Sequence, residues 1–174
     1  MESQIRNRLG TFIYGTDDET LESVVAGLLK KNNLTLSIAE SCTGGLISDL
    51  LTNVPGISDN LIESIVVYSN QSKSKRLFVK EETLKQYGAV SEQTVIEMAK
   101  GIRDITRSDI GLAVTGIAGP DGGTEIKPVG LVYIAIAYGN DSLQVQRHQL
   151  IGDRKRIKIT STNIALNLLR LAVL

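Results

Sequence analysis

The sequence predicts an α/β fold: a three-layer α/β/α sandwich around a mixed, mostly parallel sheet. Three observations carry this. Segments with apolar residues at helical spacing alternate with short strand-like runs for most of the chain. Val129 to Ala137 is a nearly continuous apolar run, as in a strand covered on both faces. Leu143 to Gln149 alternates instead and follows a turn at Gly139-Asn140-Asp141, which adds an antiparallel pair near the end.

The elements follow in order. Residues 1–16 read as an arm or linker, with Leu9 to Tyr14 a strand or linker, and 17–174 as one domain. Thr16 and Glu19 have capping-box spacing, and Leu21, Val24, Val25, Leu28 and Leu29 then repeat as a helix ending near Lys31. Leu34, Leu36 and Ile38 alternate with Thr35, Ser37 and Ala39 as a strand. Gly44-Gly45 forms a turn into a helix carrying Leu46, Ile47, Leu50, Leu51 and Val54, stopped by Pro55. Ile62 to Tyr68 is a β-branched strand, and the polar stretch Ser69 to Phe78 is a short helix. Ser91 caps a helix with Val95, Met98, Ala99 and Ile102, and Ile110, Leu112 and Val114 form a strand. Asp153 opens a long final helix through Ile157, Ile164, Leu168 and Leu171.

Composition narrows the function. The 174 residues suit one domain, and 42% hydrophobic with 22% charged residues is ordinary for a globular protein. Net charge is zero, with no Trp and two Phe, so neither a phosphate-neutralising surface nor a base-stacking platform is expected and nucleic acid is not an expected partner. Cys42 is the only cysteine and His148 the only histidine, so a zinc site is not expected. Met1-Glu2-Ser3-Gln4 lacks a signal-peptide plan and no run reaches membrane-spanning length, so the expectation is a cytoplasmic protein without a membrane partner.

In parallel-sheet folds ligands collect at the carboxyl ends of the strands. Ser41 to Gly45, Tyr68 to Lys73 and Thr115 to Gly123 each follow a predicted strand end, so three motifs converge on one sheet edge. The N–H groups of the Thr43-Gly44-Gly45 turn suit a phosphate or an oxyanion, and equally an ordinary helix start. A nucleophilic Ser41 needs a base, and His148 lies in an alternating strand away from the cluster. Lys73 is an alternative base if burial lowers its pKa, with Tyr68 orienting it or relaying a proton; composition alone favours one solvated lysine beside Lys75, Arg76 and Lys80. The loop of Thr115, Gly116, Gly119, Gly122 and Gly123 fits neither a P-loop nor a dinucleotide fingerprint. Arg154, Lys155 and Arg156 place three cations against a helix dipole, which an anionic ligand would compensate as well as Asp153 does. Cys42 reads as a packing residue. A metal-dependent phosphohydrolase built on Glu40, Asp121 and Asp153 has only scattered carboxylates behind it.

Six blocks occur together in order: Ala39-Glu40-Ser41-Cys42-Thr43-Gly44-Gly45, Tyr68-Ser69-Asn70, Gly88-Ala89-Val90-Ser91, Thr115 to Gly123, Lys127-Pro128-Val129-Gly130 and Gly152-Asp153-Arg154. This set resembles the CinA C-terminal domain family, also known as the PncC-type nicotinamide-nucleotide amidohydrolase family, over residues 18–172. The resemblance implies hydrolysis of the carboxamide of nicotinamide mononucleotide to nicotinate mononucleotide and ammonia. It implies a Ser41, Tyr68 and Lys73 catalytic set, no metal or organic cofactor, a pyridine-nucleotide ligand and homo-oligomers. Thr43, Gly44, Gly45, Asn70, Thr115, Gly116, Gly119, Gly122, Gly123 and Arg154 are the expected substrate-binding residues. The alternative is a non-catalytic nucleotide-binding or regulatory module of the same type. The chain departs from the family pattern at Gln71-Ser72 and Leu150-Ile151.

Overall fold

A computed structural model describes residues 2–139 and 142–174. Asn140 and Asp141 of the expected turn lie outside the described residues, as does Met1. The helices are α1 (Glu2–Leu9), α2 (Leu21–Asn32), α3 (Leu46–Thr52), α4 (Asn70–Leu77), α5 (Glu81–Tyr87), α6 (Glu92–Thr106) and α7 (Arg154–Ala172). The strands are β1 (Leu36–Glu40), β2 (Leu61–Val66), β3 (Ile110–Gly116), β4 (Leu131–Tyr138) and β5 (Ser142–Gln149).

The sheet order is β2-β1-β3-β4-β5. β1 pairs in parallel with β2 and β3, and β4 pairs antiparallel with both β3 and β5. Four strands therefore run one way and β4 alone runs back, which is the mostly parallel, mixed sheet expected. The carboxyl ends of β1, β2, β3 and β5 share one edge, and the start of β4 joins them there.

Helices cover both faces. On one, Leu36, Ile38, Leu112, Val114, Val132 and Ile134 pack with Leu29 of α2, Leu51 of α3 and Leu166 and Leu169 of α7. The other face is lined by small side chains, Ala39, Ala113, Ala135 and Ala137, beneath Leu77 of α4 and Val95, Met98 and Ile102 of α6. Small residues let α6 lie close: a β-carbon on Gly111 would stand 2.1 Å from the Ala99 carbonyl oxygen.

Several boundaries differ from the sequence expectation. Residues 2–9 are helical and Gly10–Phe12 is a 3₁₀ turn, so Leu9 to Tyr14 holds no strand. The cap of α2 is Thr20, whose hydroxyl accepts from the Ser23 N–H while the Ser23 hydroxyl accepts from the Thr20 N–H. Thr16 and Glu19 do bond, but they close the preceding turn. β1 is buried along its whole length because β2 and β3 flank it and helices cover both faces. Helix α5 was not legible, since its seven residues bury only Thr83. Ser91 and Asp153 cap α6 and α7 as expected.

Candidate active site

The turn after β1 begins with Glu40 and Ser41. Gly44 and Gly45 both take positive φ, +66° and +97°, a region open to glycine at little cost, so the strand can reverse tightly into α3. The first N–H groups of α3 do not face open space. The fully buried Glu40 carboxylate accepts from the N–H groups of Gly45, Ile47 and Ser48 at 2.9, 3.3 and 3.0 Å and from the Ser48 hydroxyl at 2.6 Å. Ser48 also bonds Ser64 of β2. The anion expected at this helix start is thus the protein's own side chain, and the Gly45 N–H is engaged. Among the described residues the Thr43 and Gly44 N–H groups make no hydrogen bond to the protein. The Thr43 hydroxyl is buried without a partner.

Helix α4 brings Lys73 to Ser41. Ser69 caps α4 by accepting from the Ser72 N–H, and the first turn then carries Lys73 under the end of β2. Lys73 is 1% exposed, and its Nζ lies 3.0 Å from Ser41 Oγ, 2.7 Å from the Val67 carbonyl oxygen and 3.4 Å from that of Tyr68. A neutral amine has two N–H groups and one lone pair, which this set of two carbonyls and one hydroxyl can match. Burial lowers its pKa from 10.5 to about 8, against a smaller upward pull from Cys42. Such an amine can take a proton from the hydroxyl it touches.

Cys42 is buried, and burial pushes its thiol up to about 12, so it is a packing residue, as the sequence suggested. His148 bonds Gln146 along β5 and has a pKa lowered by burial.

The other expected residues divide. Arg154, at the start of α7, donates to the Tyr68 hydroxyl at 3.0 Å and to the Gly119 carbonyl at 2.8 Å. It therefore ties the segment after β2 to the loop after β3. The Tyr68 phenol meets Arg154, while only its carbonyl approaches Lys73. Asn70 is exposed at the start of α4. The Thr115 hydroxyl donates to the Ala89 carbonyl at 2.8 Å and holds the Gly88 to Ser91 segment against β3. Gly116, Gly119 and Gly123 have packing reasons of their own. A β-carbon would stand 3.1 Å from Cys42 Sγ at Gly116, 2.6 Å from Val129 at Gly119 and 2.9 Å from Val129 at Gly123. Gly122 turns the loop with φ +86°. Glu40, Asp121 and Asp153 are not gathered: Glu40 caps α3, Asp153 caps α7 and Asp121 is exposed. Among the described residues no three acidic, histidine or cysteine side chains cluster as a metal site.

Two roles escaped the sequence reading. Glu40 was considered only as a scattered carboxylate for a metal, and its burial as the cap of α3 was hidden because glutamates are rarely buried. Lys158 sits one turn into α7 and reaches Gly44: its Nζ is 3.3 Å from where a β-carbon there would stand.

Comparison with known proteins shows the family of the chain. The model of the CinA C-terminal domain matches residues 18–173. A CinA-like protein of Kosmotoga olearia is 52% identical over 174 residues, all of this chain and 42% of the relative. A putative competence-damage inducible protein of Acetivibrio thermocellus is 52% identical over 98% of this chain and 41% of its own length. The chain thus spans about two fifths of the curated relatives it matches. Among solved structures, the competence/damage inducible protein CihA of Agrobacterium tumefaciens superposes with a TM-score of 0.83 at 36% identity, covering 91% of this chain and 99% of that one. A CinA superfamily protein of Klebsiella pneumoniae gives 0.84 at 32% identity, covering 88% and 95%.

Proposed function

Because the chain belongs to the CinA C-terminal domain family, we propose that it is an amidohydrolase that converts nicotinamide mononucleotide to nicotinate mononucleotide and ammonia. The observation that carries this reading is the buried 3.0 Å contact between Lys73 Nζ and Ser41 Oγ. In it, Ser41 Oγ attacks the carboxamide carbon and its proton passes to neutral Lys73. The carbonyl oxygen becomes an oxyanion held by the N–H groups of Thr43 and Gly44, where one such donor is worth about 3 kcal/mol of barrier. The C–N bond then breaks, the Lys73 ammonium returns its proton to the leaving nitrogen, and ammonia departs. Water activated by Lys73 hydrolyses the acyl-serine and frees the carboxylate. Tyr68 contributes its carbonyl to orient Lys73 and its phenol to hold Arg154 beside the loop of Gly119. Asn70, Thr115 and the loop glycines shape the walls around the nucleotide.

The test is ammonia release from nicotinamide mononucleotide by the unmodified protein, Ser41→Ala and Lys73→Met. Turnover is expected in the first and a loss of at least 10³-fold in each variant, as for removal of a nucleophile or its base. No turnover by the unmodified protein would leave the nucleotide-binding module as the better reading. Turnover surviving Ser41→Ala would remove the nucleophile.

A further inference from the structure

Beyond the Ser41–Lys73 pair, one buried charge has no part in the reaction as drawn. Glu40 stands directly before Ser41, is fully buried, and enters no ion pair among the described residues. A carboxylate is kept in such a place only where donors replace its water. Glu40 has two on each oxygen: the Gly45 and Ile47 N–H groups on Oε2, the Ser48 N–H and hydroxyl on Oε1. These four fill its acceptor capacity.

The other capped helices manage with less. Thr20, Ser69, Ser91 and Asp153 cap α2, α4, α6 and α7, each from the residue just before its helix. Gly45 holds that place in α3 and has no side chain to offer, so the cap comes from the end of β1. Glu40 is itself held fast. Its backbone lies between Val66 of β2 and Val114 of β3, and its carbonyl accepts the Val67 N–H at 2.8 Å. Side chains alternate along a strand, so Ile38 and Glu40 point toward α3 while Ala39 packs beneath α4 and α6. Ser41 follows the Ala39 side and meets Lys73 of α4. Two successive residues therefore anchor α3 on one face and present the Ser41 hydroxyl on the other. Ser41 to Gly44 are closed into a turn between the Glu40 backbone and the Gly45 N–H that its carboxylate holds. The unpartnered Thr43 and Gly44 N–H groups lie inside that turn.

We propose that Glu40 is a positioning residue: by holding Gly45, Ile47 and Ser48, its carboxylate fixes the Thr43 and Gly44 N–H groups where the oxyanion formed at Ser41 needs them. It rests on the amidohydrolase reading for the reaction served, and on the hydrogen bonds alone for the geometry. The same bonds occupy the start of α3, which leaves the oxyanion to the turn.

Glu40→Gln tests this, because an amide has one acceptor oxygen and no orientation of it serves both pairs of donors. Two rates are measured per folded molecule, the folded fraction being read from circular dichroism. One is kcat for nicotinamide mononucleotide. The other is phosphonylation by an alkyl fluorophosphonate, in which Ser41 Oγ displaces fluoride from phosphorus and its proton passes to Lys73; it needs no nucleotide. Both should fall at least about tenfold while KM stays as it is, as when reacting groups are slightly misplaced. Glu40→Asp keeps the charge but withdraws the carboxylate by one methylene. It should lose both rates likewise, and it decides the matter if Glu40→Gln does not fold. Leu51→Ala loosens α3 from the core without touching its cap, and should lower the melting midpoint with both rates unchanged. Full rates in either Glu40 variant would overturn the proposal. So would an equal loss of rate in Leu51→Ala, which would reduce Glu40 to a support of helix stability. Phosphonylation of Ser41 in the unmodified protein without turnover of the nucleotide would count against the amidohydrolase reading, and the phosphonylation rates would still decide the role of Glu40. Absence of both reactions in the unmodified protein would overturn both.

Discussion

In the proposed mechanism Lys73 is where chemistry and stability meet. An ammonium is penalised by burial, and the three oxygen partners around Nζ suit the neutral amine. With a pKa of about 8, roughly a tenth of the amine is neutral at pH 7. The expected kcat/KM therefore rises with pH through one ionisation and levels above about 8, which a pH–rate profile checks. The stability consequence has a definite sign. Between about pH 8 and 10.5 the unfolded chain holds a proton that the folded chain has released, so stability rises with pH across that window. Below it both states are protonated and the fold carries the full cost of a buried ammonium. Denaturant titrations should show a rise of roughly 2 kcal/mol over this window that is missing in Lys73→Met. That Ser41 and Lys73 come to one sheet edge was legible from the sequence because each follows a strand end. The burial of Lys73 was not, since Ser72, Ser74 and Lys75 around it read as a solvated helix. The capping role of Glu40 was not legible for the opposite reason: three of its partners are backbone N–H groups, which no residue pattern displays.

At the level of elements, legibility followed the strength of the apolar signal. The strands of the central sheet and the long helices α6 and α7 announced themselves by period and cap. The cap of α2 slipped from Thr16 to Thr20 because two Thr residues each have a partner three residues on, and only contact with the helix distinguishes them. Helix α5 has no apolar stripe to read. Glycine shows best how packing overrides propensity. Gly101 lies inside α6, where alanine would ordinarily add about 1 kcal/mol of stability. A β-carbon there would stand 2.1 Å from the Leu77 carbonyl oxygen of α4. Gly101→Ala is expected to destabilise by roughly 1–3 kcal/mol by forcing α4 and α6 apart. Gly27 of α2 has nothing within 4 Å of the same position, so Gly27→Ala should stabilise by up to about 1 kcal/mol. Chemical denaturation of the two variants side by side checks both signs.

For the whole molecule, strand direction positions the site. Because β1, β2, β3 and β5 point the same way, the segments that follow them gather at one edge, and Arg154 bonds two of them together. This convergence is legible in the sequence because each motif follows a strand end, and the motif blocks identify the family that the comparisons then match over residues 18–173. The sequence does not reveal that β1 is flanked on both sides or that β2 is an edge, because pairing order depends on contacts between distant residues. No helix among the described residues is long and apolar enough to cross a membrane.

The reversal of β4 has a further consequence. The loop from Ile117 to Gly130 leaves and re-enters the sheet through one neck, closed by the Ile117 N–H to the Leu131 carbonyl at 2.9 Å and the Gly130 N–H to the Ile117 carbonyl at 2.8 Å. Pro120 to Ile126 lie exposed beyond that neck. Four Gly/Ser residues inserted between Asp121 and Gly122 should lower stability by no more than about 1 kcal/mol, a melting shift of about 2–4 °C, because lengthening a closed loop costs little. Calorimetry checks the shift. The neck thus works as a socket, into which loops of other lengths can be plugged while the sheet below keeps its register.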